Sequence, residues 1–513
     1  MKFERSAGII LHPSSLPGRF GIGEIGPAAR RWIDFLNQTG CSLWQVLPLG
    51  PTGYGDSPYQ CFSAFAGNPY LVSIETLLDE GLLSAPDVAD LPDFPAEKVD
   101  FGRLIPWKLA VLDRAFERFQ QGSPKALKQE YQVFQSAQAD WLDDFALFMT
   151  IKEKFGGGSW VNWPDALRNR DPETLAVIRR EYPEAIQRQK FRQFLFFRQW
   201  TALKAYAREK DIQIIGDIPI FVAHDSADVW ANPDLFFLNK AGKPTVVAGV
   251  PPDYFSATGQ LWGNPLYRWK VHKQRGYTWW IRRLQAVLNL VDFVRLDHFR
   301  GFAGYWQIPG KAKTAIKGRW VRGPGASLFK TIRASLGSLP IIAEDLGVIT
   351  SDVVALREKF QLPGMKILQF AFASDADDPF LPHNYPVNCV VYTGTHDNDT
   401  ALGWYRRVPE NEKNAYRKYF DRDGSHVSWD LIRGVWSSVA AFSLAPMQDF
   451  LGLDNQARMN YPGNPSGNWS WRMPLEALNN TLSDRIRDLN TVFGRHKPLP
   501  NQAPKPKSMH TLG

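Results

Sequence analysis

Residues 292–301 read Asp-Phe-Val-Arg-Leu-Asp-His-Phe-Arg-Gly, an apolar run that ends among charged side chains. Phe293 and Val294 are typical of a strand that is buried on both faces of a parallel sheet. Because side chains alternate along a strand, Arg295 and Asp297 are expected to lie on the same face. A guanidinium beside a carboxylate favours the ionised form and should lower the pKa of Asp297. The segment therefore predicts either a nucleophilic carboxylate at the end of a strand or a structural ion pair.

Similar strands recur along the chain, with helical patterns between them. The predicted strands are residues 8–11, 43–47, 212–217, 292–297, 340–345, 365–370, 388–392 and a segment near 442–444. Strands that alternate with helices in this way predict the α/β class and, within it, a (β/α)8 TIM barrel with helical and loop insertions.

The pattern also suggests how the chain is divided. We assign residues 1–496 to one catalytic barrel that carries two insertions. Residues 69–182 are largely helical in pattern and form the first insertion, and residues 218–275 form the second. Residues 497–513 contain prolines and lysines but no acid, and we expect them to be a disordered tail.

Three carboxylates lie at or just beyond the ends of predicted strands. Asp297 and Glu344 belong to the fourth and fifth strands, and Asp397 follows the seventh. Because the carboxyl ends of barrel strands form one face, these side chains are expected to converge there. A metal cluster is the other chemical reading, but the spacing of the histidines matches no metal-binding motif, so we expect no metal.

A glycine motif near the start of the chain does not predict a cofactor site. Residues 21–26 match the dinucleotide fingerprint in form, but the first strand ends too early for that motif, so we expect no cofactor.

Residues 249–262 are rich in glycine and proline and carry Tyr254, Phe255 and Trp262. These rings predict a lid or binding loop, with packing of the insertion onto the barrel as the alternative.

Composition narrows the class of protein. The 513 residues are 44% hydrophobic and 22% charged, which is typical of a soluble enzyme, and 13% of them are aromatic. The net charge is +8, and outside the tail we expect it to be spread along the chain without a long basic run, so nucleic acid is not an expected partner. No run of 18 apolar residues occurs, so a membrane is not an expected partner either. The 3 cysteines show no paired spacing and the first residues resemble no signal peptide, which favours the cytoplasm.

The motifs together resemble the 4-alpha-glucanotransferases called amylomaltases or disproportionating enzymes, a glycoside hydrolase family related to the alpha-amylases. The resemblance extends over nearly the whole chain. The motifs that carry it are Ser-Pro-Tyr-Gln at 57–60, Gly-Asp-Ile-Pro at 216–219, Arg-Leu-Asp-His-Phe-Arg-Gly at 295–301, Ala-Glu-Asp-Leu-Gly at 343–347 and Gly-Thr-His-Asp-Asn at 394–398.

The resemblance implies a role for each site residue. Asp297 would be the nucleophile, Glu344 the general acid/base and Asp397 the stabiliser of the transition state. Arg295, His298 and His396 would lie in the subsite of the transferred sugar, with Tyr59 as a sugar platform there and Asn464 as a glucan-binding residue. The other substrate-binding residues that we predict are Ser57, Asp217, Asp253, Tyr254, Phe255 and Trp262.

The implied reaction moves α-1,4-glucan segments to the 4-hydroxyl of glucose or of another glucan. The implied partners are α-1,4-glucans, maltooligosaccharides and glucose, with no cofactor. A retaining mechanism of this kind needs an ionised nucleophile and a second carboxyl whose pKa is raised so that it stays protonated. A glucan hydrolase and a non-catalytic glucan-binding protein are the alternatives from other classes.

Overall fold

The computed structural model describes residues 3–252, 256–464 and 466–496. Its strands are β1 Ser6–Ile10, β2 Leu43–Gln45, β3 Gln213–Pro219, β4 Val246–Val250, β5 Gln260–Pro265, β6 Phe293–Asp297, β7 Gly304–Pro309, β8 Arg319–Arg322, β9 Ile341–Ala343, β10 Gly364–Ile367, β11 Cys389–Tyr392 and β12 Phe442–Pro446.

Eight of these strands form one sheet in the order β10-β11-β12-β1-β2-β3-β6-β9, and neighbouring strands in this order are parallel. The two end strands meet where the Ala343 amide donates to the Pro363 carbonyl at 2.9 Å. The sheet therefore curves into a nearly closed barrel, which confirms the predicted fold class. All eight predicted strands are present, although the sixth ends at Ile367 and continues as a 3₁₀ turn, Leu368–Phe370.

Helices fill the connections between the strands. They are α1 Pro27–Thr39, α2 Ile74–Asp79, α3 Phe101–Gly122, α4 Lys125–Lys154, α5 Asp165–Arg168, α6 Pro172–Glu181, α7 Pro183–Glu209, α8 Ala227–Ala231, α9 Trp269–Gln274, α10 Thr278–Leu290, α11 Ala326–Leu336, α12 Ser351–Lys359, α13 Ala401–Arg407, α14 Glu410–Phe420, α15 Val427–Ser437, α16 Met447–Phe450 and α17 Asn480–Val492. Among the described helices, none is long and apolar enough to cross a bilayer.

The first insertion packs its helices onto the barrel side. Both α3 and α4 contact α7, the helix that leads into β3. Phe145 and Phe148 are buried on α4, and Phe148 lies 5.3 Å from the ring of Trp163. These aromatic side chains therefore serve packing. That the segment behaves as a separate subdomain stays a prediction.

A second, antiparallel sheet was not predicted. Its order is β5-β4-β7-β8, so two of its strands precede the central strand β6 and two follow it. Trp262 lies on β5 rather than on an irregular loop, which corrects the expectation for this residue. The strand contains glycine, asparagine and proline, so its local pattern is weak, and pairing with β4 stabilises it. Tyr254 and Phe255 lie outside the described residues.

The barrel interior is filled by apolar side chains. Phe293 of β6 lies 5.2 Å from the ring of Phe3 and 5.2 Å from that of Phe442 on β12. Each ring is buried, so the barrel is a packed core and not a channel.

Candidate active site

Strand pairing brings Asp297 and Glu344 together. The register between β6 and β9 places Leu296 opposite Ala343. The residues that follow these two are the carboxylates Asp297 and Glu344. Neighbouring strands lie about 4.8 Å apart, which fixes the two carboxyl groups side by side. Glu344 is further held by two backbone amides, since His298 donates to Oε2 at 2.7 Å and Leu346 donates to Oε1 at 2.9 Å.

The turn after β6 makes one of these contacts possible. His298 has a φ of +53°, a left-handed conformation that few residues other than glycine adopt. In this conformation its amide points to the Glu344 carboxylate instead of continuing the strand ladder. The sequence motif thus bends the chain directly beside Asp297.

Arg295 connects two acids beneath the site. Its Nη1 donates to Asp217 Oδ2 at 2.7 Å and lies 3.0 Å from Asp297 Oδ1. The same Asp217 oxygen accepts a hydrogen bond from the Tyr59 hydroxyl at 2.8 Å. The expectation that Arg295 and Asp297 face the same side is therefore confirmed, and Asp217 adds a link to Tyr59.

The pKa of Asp297 differs from the sequence expectation. Burial raises the pKa of this carboxyl to about 6, although the Arg295 guanidinium acts in the opposite direction. The prediction of a lowered pKa was wrong because removal from water, reinforced by the charges of Asp217 and Asp397, outweighs the effect of Arg295. Burial also raises the pKa of Glu344 to about 7, opposed by Arg295 and reinforced by the charge of Asp297. Glu344 is thus the carboxyl that holds its proton to the higher pH.

Asp397 has the opposite character. Burial alone would raise its pKa, but His396 and Asn460 outweigh that effect and hold the pKa well below its usual range. His396 Nε2 lies 3.3 Å from Oδ2, and Asn460 Nδ2 donates to Oδ1 at 2.6 Å. For His396 burial by itself would lower the pKa, but the negative charge of Asp397 raises the pKa overall. Asp397 is consequently a permanent anion beside two titrating carboxyls.

A cleft of about 920 Å³ opens above these groups. All three carboxylates line it. The predicted binding residues that also line it are Ser57, Tyr59, Trp262, Arg295, His298, His396 and Asn464. Asp217 lies behind Tyr59 and Arg295 instead, and Asp253, Tyr254 and Phe255 lie outside the described residues.

Flat rings line two sides of the cleft. Tyr59 and His396 stack with centroids 5.1 Å apart and an interplanar angle of 18°. Trp262 meets the His298 ring edge-on at 4.8 Å. Burial lowers the pKa of His298 to about 3, so this ring is neutral near pH 7 and can only hydrogen-bond. Such rings suit the apolar faces of sugars.

Asn460 and Trp469 are among the cleft residues that the sequence did not predict. Trp469 lies 5.7 Å from the Tyr59 ring, and Asn460 holds Asp397. Both belong to the polar loop that follows the eighth barrel strand. The rule that loops at the carboxyl ends of strands build the site could have identified them. Within the residues that the structure describes, no group of three or more His, Cys, Asp or Glu side chains could hold a metal ion.

Comparison with known proteins gives consistent matches. A family profile described as 4-alpha-glucanotransferase matches residues 11–477. The 4-alpha-glucanotransferase of Thermus thermophilus is 52% identical over 495 residues, which are 95% of this chain and 98% of that protein. The chloroplastic/amyloplastic 4-alpha-glucanotransferase of Solanum tuberosum is 46% identical over 502 residues, 96% of this chain and 86% of that protein. The solved amylomaltase of Streptococcus agalactiae in complex with acarbose has a TM-score of 0.93 and 39% identity, covering 96% of this chain and 100% of that chain.

Proposed function

The chain belongs to the 4-alpha-glucanotransferase family, and we propose that Asp297, Glu344 and Asp397 carry out its reaction by a retaining double displacement. The activity is transfer of α-1,4-glucan segments to an acceptor glucan. One observation carries the proposed roles: the β6–β9 register sets Asp297 beside Glu344 at the floor of the cleft. Retaining enzymes use two carboxyl groups about 5–5.5 Å apart, a separation that adjacent strands supply.

In the first step the ionised Asp297 attacks the anomeric carbon of the donor glucan. Glu344 gives its proton to the glycosidic oxygen, the bond from carbon to that oxygen breaks, and the reducing-end fragment leaves. The donor segment stays bound to Asp297 as an ester. The higher pKa of Glu344 supports this division of roles, because the acid must be protonated while the nucleophile is ionised.

In the second step an acceptor hydroxyl replaces the departed fragment. Glu344, now ionised, takes the proton of the acceptor 4-hydroxyl as its oxygen attacks the anomeric carbon. The ester bond breaks, Asp297 is released as a carboxylate, and the anomeric configuration of the donor is retained. Glucose and maltooligosaccharides are the acceptors that we propose.

The remaining residues bind and orient the sugar. Asp397 stabilises the positive charge that develops on the sugar ring, because its own charge is fixed by His396 and Asn460. Tyr59 provides a flat surface for the donor sugar, and Asp217 positions both Tyr59 and Arg295. Ser57, His298, His396 and Asn464 supply polar contacts from the cleft wall.

We propose that Trp262 and the segment that contains Asp253, Tyr254 and Phe255 contact the substrate on the side where the acceptor binds. Trp262 lines the cleft next to His298, whose backbone amide donates to the Glu344 carboxylate. Asp253, Tyr254 and Phe255 precede it in the sequence by fewer than ten residues. We assign Tyr254 and Phe255 to acceptor binding because flat apolar rings can stack on glucose, and we assign Asp253 to substrate binding.

Incubation with maltotriose alone tests the function directly. A transferase yields glucose together with longer maltooligosaccharides, and the number of reducing ends stays constant. A hydrolase raises the number of reducing ends as glucose appears, and a binding protein yields no new product. Product sizes and reducing ends measured on the same samples therefore separate the three classes.

A further inference from the structure

The net positive charge of the chain is concentrated in one segment, contrary to the expectation that it is spread along the sequence. Residues 298–343 contain no aspartate and no glutamate. The basic residues in this segment are Arg300, Lys311, Lys313, Lys317, Arg319, Arg322, Lys330 and Arg333. Their combined charge equals the formal net charge of +8 for the whole chain. The segment also contains β7 and β8 of the second sheet.

We call residues 304–322, which comprise β7, β8 and the loop between them, the basic hairpin. Its basic side chains are all exposed: Lys311, Lys313, Lys317, Arg319 and Arg322. Among the described residues, no acidic side chain forms an ion pair with any of them. Arg319 instead donates to the amide oxygen of Gln307 at 2.8 Å. A cluster of positive charges creates an electrostatic field that attracts an anion.

An exposed aromatic ring lies within this charged surface. Trp320 on β8 is 44% exposed and lies opposite Trp306 of β7, with ring centroids 5.3 Å apart. The Arg300 guanidinium lies 3.9 Å from the Trp320 ring. Arg322 is two residues further along the strand and projects from the same face. The hairpin thus combines a ring that can stack on a sugar with cations that can bind phosphate.

The basic hairpin is continuous with the catalytic cleft. Arg300 follows Asp297 by three residues, and its Nη1 donates to the carbonyl of Val348. Val348 is exposed and lines the cleft in the loop after Glu344. Asp352 is close enough to offset part of the Arg300 charge. A polymer that leaves the cleft past Val348 therefore reaches Trp320 next.

We propose that the basic hairpin anchors phosphate-esterified α-glucan chains whose neutral part occupies the cleft. The inference rests on the proposed function, since the glucan in the cleft is what extends to the hairpin. A neutral glucan would need only the Trp320 ring and would gain nothing from the five exposed cations. A phosphate monoester supplies a charge of about −1.5 to −2 at pH 7 and three acceptor oxygens, which lysine and arginine bind well.

The test compares one maltodextrin that carries phosphate monoesters with the same material after enzymatic dephosphorylation. Binding to the full chain is measured by calorimetry at low ionic strength. The variant Lys317→Gln/Arg322→Gln removes two hairpin charges. The matched control Lys330→Gln/Arg333→Gln removes one exposed lysine and one exposed arginine from α11 in the same acid-free segment.

The phosphorylated maltodextrin is expected to bind the unaltered protein about tenfold more tightly than the dephosphorylated form. The affinity for the phosphorylated maltodextrin should fall about threefold to tenfold in the hairpin variant and less than about twofold in the control. These factors correspond to the free energy of exposed charge pairs. Salt at about 0.5 M should remove most of the difference. Trp320→Ala should weaken the binding of both maltodextrins by a similar factor, because stacking on the ring does not depend on phosphate.

Several results would overturn the proposal. They are equal binding of the two maltodextrins by the unaltered protein, equal losses in the hairpin and control variants, and unchanged binding by Trp320→Ala. Tighter binding of a single-stranded oligonucleotide that displaces the phosphorylated maltodextrin would assign the hairpin to nucleic acid instead. Transfer from maltotriose, measured on every variant, should stay unchanged, so a failure of the glucan-transfer activity is seen separately from a failure of phosphate binding.

Discussion

At the residue level, Asp297 is defined by two opposing effects on one carboxyl group. Burial raises its pKa to about 6, and the Arg295 cation at 3.0 Å limits that rise. Without the cation, the cost of an ionised carboxylate in this site would be larger. Arg295 therefore keeps the proposed nucleophile usable near neutral pH.

Asp297→Asn is the direct test of the nucleophile. We expect the rate of glucan transfer to fall by more than about a thousandfold, because an amide cannot form the glycosyl ester. Circular dichroism and the melting temperature should be nearly unchanged, since asparagine has the same shape and remains partly exposed. Near-normal transfer by the folded variant would exclude the assignment.

Glu344→Gln should separate acid catalysis from nucleophilic attack. Transfer from ordinary glucans needs a protonated leaving oxygen, whereas a maltosyl donor with an activated aryl leaving group does not. We expect the variant to lose far more activity on the natural donor than on the aryl donor. Initial rates on both donors provide the measurement, and equal losses would remove Glu344 from the acid role.

The two raised pKa values predict a bell-shaped pH profile. Activity should rise as Asp297 ionises through about pH 6 and fall as Glu344 loses its proton through about pH 7. The acidic limb belongs to the nucleophile because only its ionised form attacks. In Glu344→Gln, assayed on the aryl donor, the alkaline limb should disappear while the acidic limb stays. An alkaline limb that persists in this variant would contradict the assignment.

At the level of elements, β5 places Trp262 in the cleft. Trp262 contacts the His298 ring and lines the cleft, whereas the side chain of Leu261 projects from the opposite face of the strand. Pairing with β4 stabilises this strand. A single strand therefore presents one ring to the cleft and one apolar side chain on its other face.

Trp262→Ala should raise the ratio of hydrolysis to transfer. Water at about 55 M competes with an acceptor whose effective molarity, when it is well oriented, reaches about 10⁵ M or more. Loss of the ring weakens that orientation, so water should gain. The ratio of reducing ends formed to glucose released from maltotriose gives the measurement, and Phe255→Ala is expected to act in the same direction.

Leu261→Ala is the matched control for Trp262→Ala. It removes an apolar side chain from the same strand but from the other face, and Leu261 is 38% exposed, so little stability should be lost. The ratio of hydrolysis to transfer should not change. A large fall in melting temperature for Trp262→Ala with an unchanged ratio would show that the ring packs the insertion onto the barrel.

At the level of the whole molecule, one buried ion pair joins the helical insertion to the barrel. Lys108 on α3 is fully buried and donates to Glu24, which lies in the loop between β1 and α1. The other Glu24 oxygen accepts from the Ile74 amide at 3.1 Å. Burial raises the pKa of Glu24 and lowers that of Lys108, while each charge opposes the shift of its partner.

Lys108→Met should destabilise the protein by about 3–5 kcal/mol at neutral pH, because it leaves the Glu24 carboxylate buried without a cation. A carboxyl whose folded-state pKa is raised binds its proton more tightly when folded. The penalty is therefore largest at high pH and shrinks as the pH falls through that pKa. Urea unfolding at several pH values provides the measurement.

Two further variants complete the Lys108 experiment. Glu24→Gln combined with Lys108→Met should regain part of the stability, since no buried charge remains. Lys125→Met on α4 removes an exposed lysine and should change the unfolding free energy by less than about 0.5 kcal/mol. Equal losses in Lys108→Met and Lys125→Met would show that the pair does not join the two parts.

The amino-acid sequence by itself determined the barrel and the convergence of three carboxylates at one of its faces. The eight strands were predicted because buried parallel strands are continuous apolar runs, a property of a few consecutive residues. The shared face of Arg295 and Asp297 follows from the alternation of side chains along a strand, which backbone geometry fixes locally. Motifs at the strand ends carried the resemblance to the family.

Only the tertiary structure decided properties that sum over distant parts of the chain. The raised pKa of Asp297 depends on how many segments exclude water from it, and no local pattern records that number. The second sheet joins strands from both sides of β6, and its strand β5 has a weak pattern of its own, so Trp262 could not be placed from its neighbours. The contact of Asn460 with Asp397 spans 63 residues of sequence. Burial, strand pairing and charge are fixed by what packs around a residue, and folding brings most of those groups from far along the chain.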